Sequence, residues 1–304
     1  MVIKAVEIGG EGKLPINEFK LDSMCANPSI VMIAKRGSGK SVVTKAILKH
    51  FRDIPVGIII APTDRMNCFY GNFFPDSYIH YAYRSDIIQK LLYRQEQIIE
   101  KRQKRERKGK KLDSRGFIVM DDCLASKGTW MKDQPIQELL FNGRHYELMY
   151  ILTMQFPLGI SPNLRSNFDI IILLAEDYIS NLKRIFDHYA GMFPDFNSFR
   201  STFTQLTQDY GCMVINNRGA RSSFLEKIFW YKAPFDTENL NMGCKQFRKF
   251  HEDNYDPKWR MKSKGLDINE FCSRKKSEKG ELKIEKVQAD DQPTTQKRKA
   301  KTSH

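Results

Sequence analysis

Short, uninterrupted apolar runs recur along the chain and alternate with segments whose apolar residues have helical spacing. An uninterrupted run predicts a strand that is buried on both faces, which is typical of parallel sheets covered by helices on both sides. Five runs have this form: 29–34, 56–61, 117–120, 149–153 and 170–174. The pattern therefore predicts an α/β fold with a doubly wound, mostly parallel sheet.

The segments that flank these runs have weaker patterns. Residues 1–28 predict an irregular lead-in that contributes one edge strand, whereas 212–215 and 228–231 predict late strands that pair as a hairpin at the sheet edge. Helical spacing occurs at 41–51, 87–100 and 178–207. We therefore expect four segments: the lead-in at 1–28, a main domain at 29–235, a C-terminal extension at 236–259 and a tail at 260–304.

Charge is distributed unevenly along the chain. Residues 260–304 contain 13 basic and 7 acidic residues with almost no large apolar side chains, so we expect a disordered basic tail that cannot offset its ordering entropy. A second basic cluster lies at 101–111, where eight of eleven residues are Lys or Arg. The total of 50 Lys and Arg against 36 Asp and Glu gives a net charge of +14. This excess favours a polyanionic partner such as nucleic acid or an anionic membrane surface.

Cysteine spacing and hydropathy exclude several classes of protein. The six cysteines include no CxxC pair and no histidine at ligand spacing, so neither a zinc site nor a disulfide framework is predicted. No apolar run approaches the roughly 20 residues that span a bilayer, and the N-terminus has no secretory leader pattern. We therefore expect an intracellular protein with reduced thiols and no membrane span.

The turn after the first buried strand reads AKRGSGKS from Ala34 to Ser41. It matches the P-loop pattern GxxxxGK[ST] except that Ala34 replaces the first glycine, and it lies between a strand and a helix as the motif requires. In such a loop the backbone N–H groups bind phosphate oxygens, Lys40 contacts the β- and γ-phosphates, and Ser41 ligates Mg²⁺. The alternative is a glycine turn without a ligand. The residues predicted to bind ATP are Ala34, Lys35, Arg36, Gly37, Ser38, Gly39, Lys40, Ser41 and Val42.

Two aspartates follow the third buried strand and predict the metal and base carboxylates. Asp121 emerges at the carboxyl end of a central strand, the edge where open α/β sheets bind ligands, and it is the predicted Mg²⁺ ligand together with Ser41. Asp122 is the predicted general base that polarises the attacking water, a task that glutamate more often performs in such ATPases. The alternative is that the pair only begins a turn.

Three further residues are candidates for roles in hydrolysis. Gln155 follows the fourth strand, so it can hydrogen-bond water or the γ-phosphate. The alternative is that Gln155 is a surface amide without a role in hydrolysis. Arg144 and Arg165 flank that strand, and a planar guanidinium from a neighbouring subunit can neutralise charge on the phosphoryl oxygens. The predicted catalytic set is therefore Lys40, Asp122, Gln155, Arg144 and Arg165.

Together these motifs resemble the genome-packaging ATPases of nucleocytoplasmic large DNA viruses, of the poxvirus type, within the FtsK–HerA group of P-loop DNA translocases. The resemblance covers about 28–231. It is carried by AKRGSGKS, by APTD at 61–64, by IVMDD at 118–122, by NGRHY at 142–146, and by Gln155 followed by SPNLRSNFD at 161–169. It implies a RecA-like P-loop NTPase with strand order 5-1-4-3-2, plus edge strands. It also implies a ring that uses ATP hydrolysis to drive double-stranded DNA into a capsid.

The same resemblance implies cofactors, partners and a location. The cofactors are ATP and Mg²⁺; the partners are double-stranded DNA, other copies of the chain in a homo-oligomeric ring, and viral capsid or portal-like components. The location is the host-cell cytoplasm, at viral factories, and the virion; the basic residues 297–301 leave nuclear import open. The cluster at 101–111 and the tail are the candidate DNA contacts, although most charge runs are solvated loops.

Two other functions are compatible with these motifs. A helicase or recombination motor shares the phosphate chemistry, and a strand-separation assay distinguishes it from a packaging motor. A non-hydrolysing, nucleotide-dependent DNA-binding scaffold fits if Asp122 is a poor base. A GTPase and an ABC transporter subunit are disfavoured, because the sequence contains neither NKxD nor LSGGQ.

Overall fold

The computed structural model describes residues 3–8, 12–123, 132–219, 223–235 and 238–259. Residues up to Tyr255 belong to one compact unit, whose centre is a ten-stranded mixed sheet. The predicted tail at 260–304 lies outside the described residues. Within the described part, no helix combines the length and the apolar character that crossing a bilayer demands.

The described residues form strands and helices with the following bounds. The strands are β1 Ile3–Ile8, β2 Gly12–Glu18, β3 Ser29–Ile33, β4 Gly57–Ile60, β5 Ile79–His80, β6 Gly116–Asp121, β7 Leu148–Met154, β8 Ile170–Leu173, β9 Cys212–Asn216 and β10 Ile228–Tyr231. The α-helices are α1 Lys40–His50, α2 Asp64–Asn67, α3 Ser85–Glu106, α4 Gln134–Asn142, α5 Pro162–Arg165, α6 Ile179–Tyr189, α7 Phe196–Leu206 and α8 Lys245–Asn254. Across the sheet the strands follow the order β1-β2-β10-β9-β8-β3-β7-β6-β4-β5.

The five central strands have the order β8-β3-β7-β6-β4, and all of them are parallel. This is the order 5-1-4-3-2 that the resemblance implies, so the RecA-like arrangement is confirmed. Every residue of β3, β6, β7 and β8 is buried. Burial on both sheet faces explains why these strands appear in the sequence as uninterrupted apolar runs.

Alternating residues of β3 face two separate apolar layers. Val31 and Ile33 belong to the layer that contains buried residues of α3, α4, α6 and α7. Ile30 and Met32 belong to the layer on the other face, which contains Ile47 of α1. Because side chains of a strand alternate between faces, one short apolar strand contributes to both cores.

The residues before β3 form a hairpin and not an irregular lead-in with one strand. β1 and β2 pair antiparallel, and β2 extends the sheet by parallel pairing with β10. Val6 and Ile16 of this hairpin are fully buried. The sequence pattern is weak here because glycines at 9, 10 and 12 and a proline at 15 interrupt it. As a consequence, the antiparallel pair of β9 and β10 lies inside the sheet, whereas the sequence predicts it at the edge.

Two of the predicted helical segments differ in extent from the helices of the structure. α3 continues to Glu106, so the first half of the basic cluster at 101–111 is helical. The helical pattern predicted over 178–207 is divided into α6 and α7, which are separated by residues 190–195. Gly191 and Pro194 lie in this separation, and both residue types interrupt helices.

Gly57 of β4 lies opposite Phe117 of β6 in the sheet. A Cβ atom at Gly57 would lie 2.3 Å from the Phe117 ring, which is fully buried. Gly57→Ala should therefore lower the free energy of unfolding by about 1–3 kcal/mol in urea denaturation, the usual cost of overpacking. Gly191→Ala is the control, because its Cβ atom would meet nothing within 4 Å. Equal stabilities of the two variants would contradict the packing argument.

Candidate nucleotide site

The P-loop connects β3 to α1 and is shaped by two left-handed glycines. Gly37 and Gly39 have φ angles of 76° and 97°, which residues with a Cβ atom rarely adopt, and Gly39 is the N-cap of α1. Ala34 does not have a positive φ, and its N–H donates to Met154 O at 2.9 Å as a continuation of strand pairing. The conformation at position 34 therefore does not require glycine, which explains the departure from the motif.

Asp121 ends β6 beside the P-loop and accepts hydrogen bonds from three parts of the chain. Its Oδ1 atom lies 2.7 Å from Lys40 Nζ in an ion pair and also accepts a hydrogen bond from the Thr153 hydroxyl. Its Oδ2 atom accepts a hydrogen bond of 3.1 Å from the Tyr70 hydroxyl. Asp121 is only 7% exposed, so these donors and the Lys40 charge compensate for the burial of its carboxylate.

Tyr70 connects Asp121 to a second buried carboxylate. The Tyr70 ring is buried, and its backbone N–H donates to Asp64 Oδ1 at 2.9 Å. Burial, followed by the charge of Asp121, raises the pKa of Tyr70 well above its usual value, so its hydroxyl remains a donor. Burial also raises the pKa of Asp64, whose Oδ2 atom has no hydrogen-bond partner within the described residues.

Asp122 and Gln155 meet at the ends of the adjacent strands β6 and β7. Asp122 has a φ of 53°, an uncommon left-handed conformation for a residue other than glycine. Its N–H donates to the Thr153 hydroxyl at 3.2 Å, and its Oδ2 atom accepts a hydrogen bond of 2.5 Å from Gln155 Nε2. The structure thus brings together the residues predicted as general base and sensor.

A cavity of about 890 Å³ lies over the P-loop and the carboxyl ends of β6 and β7. Of the nine residues predicted to bind ATP, all of them described, eight line this cavity. The ninth, Ser38, is buried, and its hydroxyl donates to Lys35 O at 2.8 Å within the loop. The cavity is also lined by Tyr70, Asp121, Asp122 and Gln155. Its size and its combination of a phosphate loop with carboxylates fit a nucleoside triphosphate.

Comparison with known proteins assigns the family. A family model described as Poxvirus A32 protein matches residues 16–185, which are more than half of the chain. The chain belongs to the poxvirus A32 protein family. The matched region contains the P-loop, both aspartates and Gln155, so the poxvirus-type resemblance of the sequence motifs is confirmed.

Proteins similar to this A32-family chain occur in large viruses. Uncharacterized protein L437 of Acanthamoeba polyphaga mimivirus is 46% identical over 247 residues, which are 81% of this chain and 86% of that protein. Uncharacterized protein 075L of Invertebrate iridescent virus 6 is 34% identical over 233 residues, which are 76% of this chain and 87% of that protein. Among solved structures, the genome packaging NTPase B204 from Sulfolobus turreted icosahedral virus 2, in complex with ATP-gammaS, aligns with a TM-score of 0.47. That alignment has 18% identity over 69% of this chain and 98% of that chain.

The two candidate arginines of this A32-family chain lie away from the cavity. Arg144 precedes β7 at the amino ends of the strands and pairs with the buried carboxylate of Asp169. Arg165 is only 9% exposed; its Nε atom donates to Ile160 O at 2.9 Å, and its guanidinium lies 5.4 Å from the centre of the Tyr189 ring. Neither arginine lines the cavity of its own chain, so a role in a neighbouring subunit remains a prediction. Because Arg165 is buried and Arg144 is not, Arg144 is the better candidate for contact with the nucleotide of a neighbouring subunit.

Sequence reasoning missed Tyr70 and Thr153 as residues of the site. Thr153 carries a usable signal, because it is a polar residue near the end of an otherwise apolar strand that pairs with the Asp121 strand. Tyr70 carries none, since residues 62–79 are rich in aromatic side chains but have neither helical nor strand periodicity. Only the folded chain shows which of these aromatic residues reaches Asp121.

Tyr70→Phe removes one hydroxyl and leaves the buried Asp121 carboxylate with one donor fewer. We expect the free energy of unfolding at pH 7 to fall by about 1–3 kcal/mol in urea denaturation. The matched control is Tyr93→Phe on α3, because the Tyr93 ring is 63% exposed; its stability should stay within about 0.5 kcal/mol of wild type. Unchanged stability in Tyr70→Phe would show that this hydroxyl does not support Asp121.

Proposed function

We propose that this A32-family protein is an ATP-hydrolysing DNA translocase that packages viral double-stranded DNA into the capsid as a ring oligomer. The observation that carries the proposal is the ion pair of 2.7 Å between Lys40 and Asp121, within one cavity that contains the P-loop. The two residues are 81 positions apart, yet together they supply the phosphate cation and the metal carboxylate that phosphoryl transfer requires. Membership of the A32 family supports packaging as the use of this chemistry.

The oxygen donors in the cavity fit Mg²⁺. Ser41 is exposed at the start of α1 and lines the cavity together with Asp121. In nucleotide sites Mg²⁺ takes one or two protein oxygens and completes its shell with phosphates and water. When bound, Mg²⁺ neutralises the charge that develops on the phosphate oxygens.

The remaining residues of the cavity have separate tasks in the proposed reaction. The P-loop N–H groups and the positive N-terminus of α1 bind phosphate oxygens, and Lys40 exchanges its pairing with Asp121 for the β- and γ-phosphates. Asp122 accepts a proton from the attacking water, which Gln155 orients from the adjacent strand. Support comes from the hydrogen bond between Gln155 and Asp122, which keeps both side chains at one point of the cavity wall.

The proposed DNA contact is the basic end of α3. Residues 101–111 lie at and beyond the end of this helix, and all of them except Arg102 are exposed. Arg102 pairs with Glu147 at 2.8 Å, and Lys104 pairs with Glu100 one helical turn earlier. The excess of cations over these acidic partners suits sequence-independent contact with phosphates, which a translocating motor makes and breaks repeatedly.

The proposal extends to assembly and location. Arg144 is half-exposed at the edge of the sheet opposite the cavity, so a head-to-tail ring can bring it to the nucleotide of the next subunit. A capsid or portal-like component is the proposed partner of such a ring. The proposed location is the viral factory in the host-cell cytoplasm.

ATP turnover by the full chain tests the chemistry. Lys40→Ala removes the main phosphate cation, so we expect turnover to fall to background with or without long double-stranded DNA. Asp122→Asn should retain ATP binding but lose about 100-fold or more in rate, because an amide cannot accept the proton. Phosphate release is measured for both variants. Lys90→Ala and Asp187→Asn are matched controls, since both residues lie outside the cavity.

Different outcomes of this assay reject different parts of the proposal. Wild-type turnover in Lys40→Ala would reject the P-loop as the catalytic site. Near-wild-type turnover in Asp122→Asn would reject Asp122 as the base and make Asp64, the third carboxylate of the cavity wall beside Asp121 and Asp122, the next candidate. Strand separation of a forked duplex without translocation would favour a helicase.

Charge reversal on α3 tests the DNA contact. The double variant Arg105→Glu, Lys108→Glu should weaken binding to long double-stranded DNA, and the slope of log affinity against log salt should decrease by roughly 0.9 for each phosphate that the variant no longer neutralises. The control is Lys245→Glu, Lys249→Glu on α8, which makes the same change of charge at two exposed lysines. Equal weakening by both double variants would indicate a general charge effect and contradict a local contact at α3.

A further inference from the structure

We propose that Tyr210 and Phe235 form a base-binding end of the nucleotide cavity, where an aromatic ring stacks on the nucleobase. This inference rests on the proposed function, because it concerns the same cavity, and it names the part of the ligand that the P-loop does not contact. Both residues line the cavity and both lie outside the region 16–185 that the family model matches.

The order of strands places Tyr210 at one end of the cavity. Asp121 ends β6 and Gln155 follows β7, and both strands lie on one side of β3 and its P-loop. Tyr210 precedes β9, which lies on the other side of β3, beyond β8. Four strand spacings separate β6 from β9, a distance of roughly 19 Å. A nucleoside triphosphate whose γ-phosphate is at Lys40 and Asp121 therefore extends its base toward Tyr210.

Tyr210 lies directly against the phosphate loop. A Cβ atom added to Gly39 would lie 3.5 Å from Tyr210 Cδ1, so the ring is adjacent to the N-cap of α1. The side chain is nevertheless 68% exposed, which leaves most of its surface available for contact with a ligand. Tyr210 and its neighbour Asp209 have φ angles of 62° and 51°, an unusual pair of left-handed residues that directs the ring toward the loop.

The segment after β10 brings a second aromatic residue into the wall of the same cavity. β10 is antiparallel to β9, which is antiparallel to β8, so β10 ends at the edge of the sheet where the P-loop begins. Lys232, Ala233 and Phe235 follow that end and line the cavity. Phe235 is 87% exposed, and covering such an apolar ring with a planar base is favourable.

The chemistry of this end indicates stacking as the main mode of base recognition. The segments before β9 and after β10 contribute two aromatic rings, an alanine and one lysine to the cavity wall, namely Tyr210, Phe235, Ala233 and Lys232. Every nucleobase has a π-face, so stacking on an aromatic ring binds bases with little dependence on their identity. The ligand class is therefore a nucleoside di- or triphosphate held by its phosphates and by its base.

Binding of ADP and of pyrophosphate separates the base contact from the phosphate contact, because both ligands have two phosphates and only ADP has a base. Isothermal titration is performed with the full chain as wild type, Tyr210→Ala, Tyr210→Phe, Phe235→Ala and Tyr93→Ala. We expect Tyr210→Ala to lose about 5- to 150-fold in ADP affinity, the range typical of base–aromatic stacking, and to keep its pyrophosphate affinity. Phe235→Ala should likewise lose ADP affinity and keep its pyrophosphate affinity.

The other variants and outcomes make the test decisive. Tyr210→Phe keeps the ring and should retain most of the ADP affinity. Tyr93→Ala removes a similarly exposed tyrosine on α3 and should leave the ADP affinity unchanged. Unchanged ADP affinity in Tyr210→Ala, or an equal loss for ADP and pyrophosphate, would overturn the base assignment. Retained pyrophosphate binding in Tyr210→Ala shows that its P-loop is folded. Failure of wild type to bind either ligand would instead reject the proposed function itself.

Discussion

The ion pair between Lys40 and Asp121 depends on the register of three parallel strands. Ile33, the last residue of β3, pairs with Met154 of β7, and Asp121 pairs with Thr153 one residue earlier. The P-loop and the end of β6 therefore emerge at the same level of the sheet. Because a shift of one residue would turn Asp121 to the opposite face, the fully buried ladder of β3, β7 and β6 is a condition for any phosphate chemistry here.

The partial burial of this ion pair explains why several other residues surround it. A buried carboxylate is costly unless it is paired and hydrogen-bonded, and Asp121 obtains its partners from α1, from β7 and from the loop that holds Tyr70. Tyr70 is held in turn by Asp64 at the start of α2. The loop after β4 is thereby tied to Asp121, the proposed metal ligand, although it contributes nothing to the P-loop motif.

Several parts of this arrangement are predictable from the sequence because they leave a local pattern. The continuous apolar runs reflect burial on both faces, and glycines at 37 and 39 reflect the left-handed φ angles of the loop. Tyr70 is not predictable, because its role comes from a contact with Asp121 across 51 positions and not from periodicity. The β1–β2 hairpin is obscured by interrupting glycines and a proline. The pairing of Arg144 with Asp169, 25 positions away, follows only from the folded sheet.

The antiparallel extension of the sheet adds aromatic residues to the cavity over the parallel core. A core of β8-β3-β7-β6-β4 alone presents a phosphate loop and carboxylates but leaves the side of β3 toward β8 open. Because β9 starts and β10 ends at the edge where the P-loop begins, their flanking segments add Tyr210 and Phe235 to the cavity wall. The cavity wall thus combines the P-loop and carboxylates from one part of the chain with aromatic residues from another. Substitutions of these aromatic residues are therefore expected to change ligand affinity without altering Lys40, Asp121 or Asp122, the residues proposed to act on the phosphates.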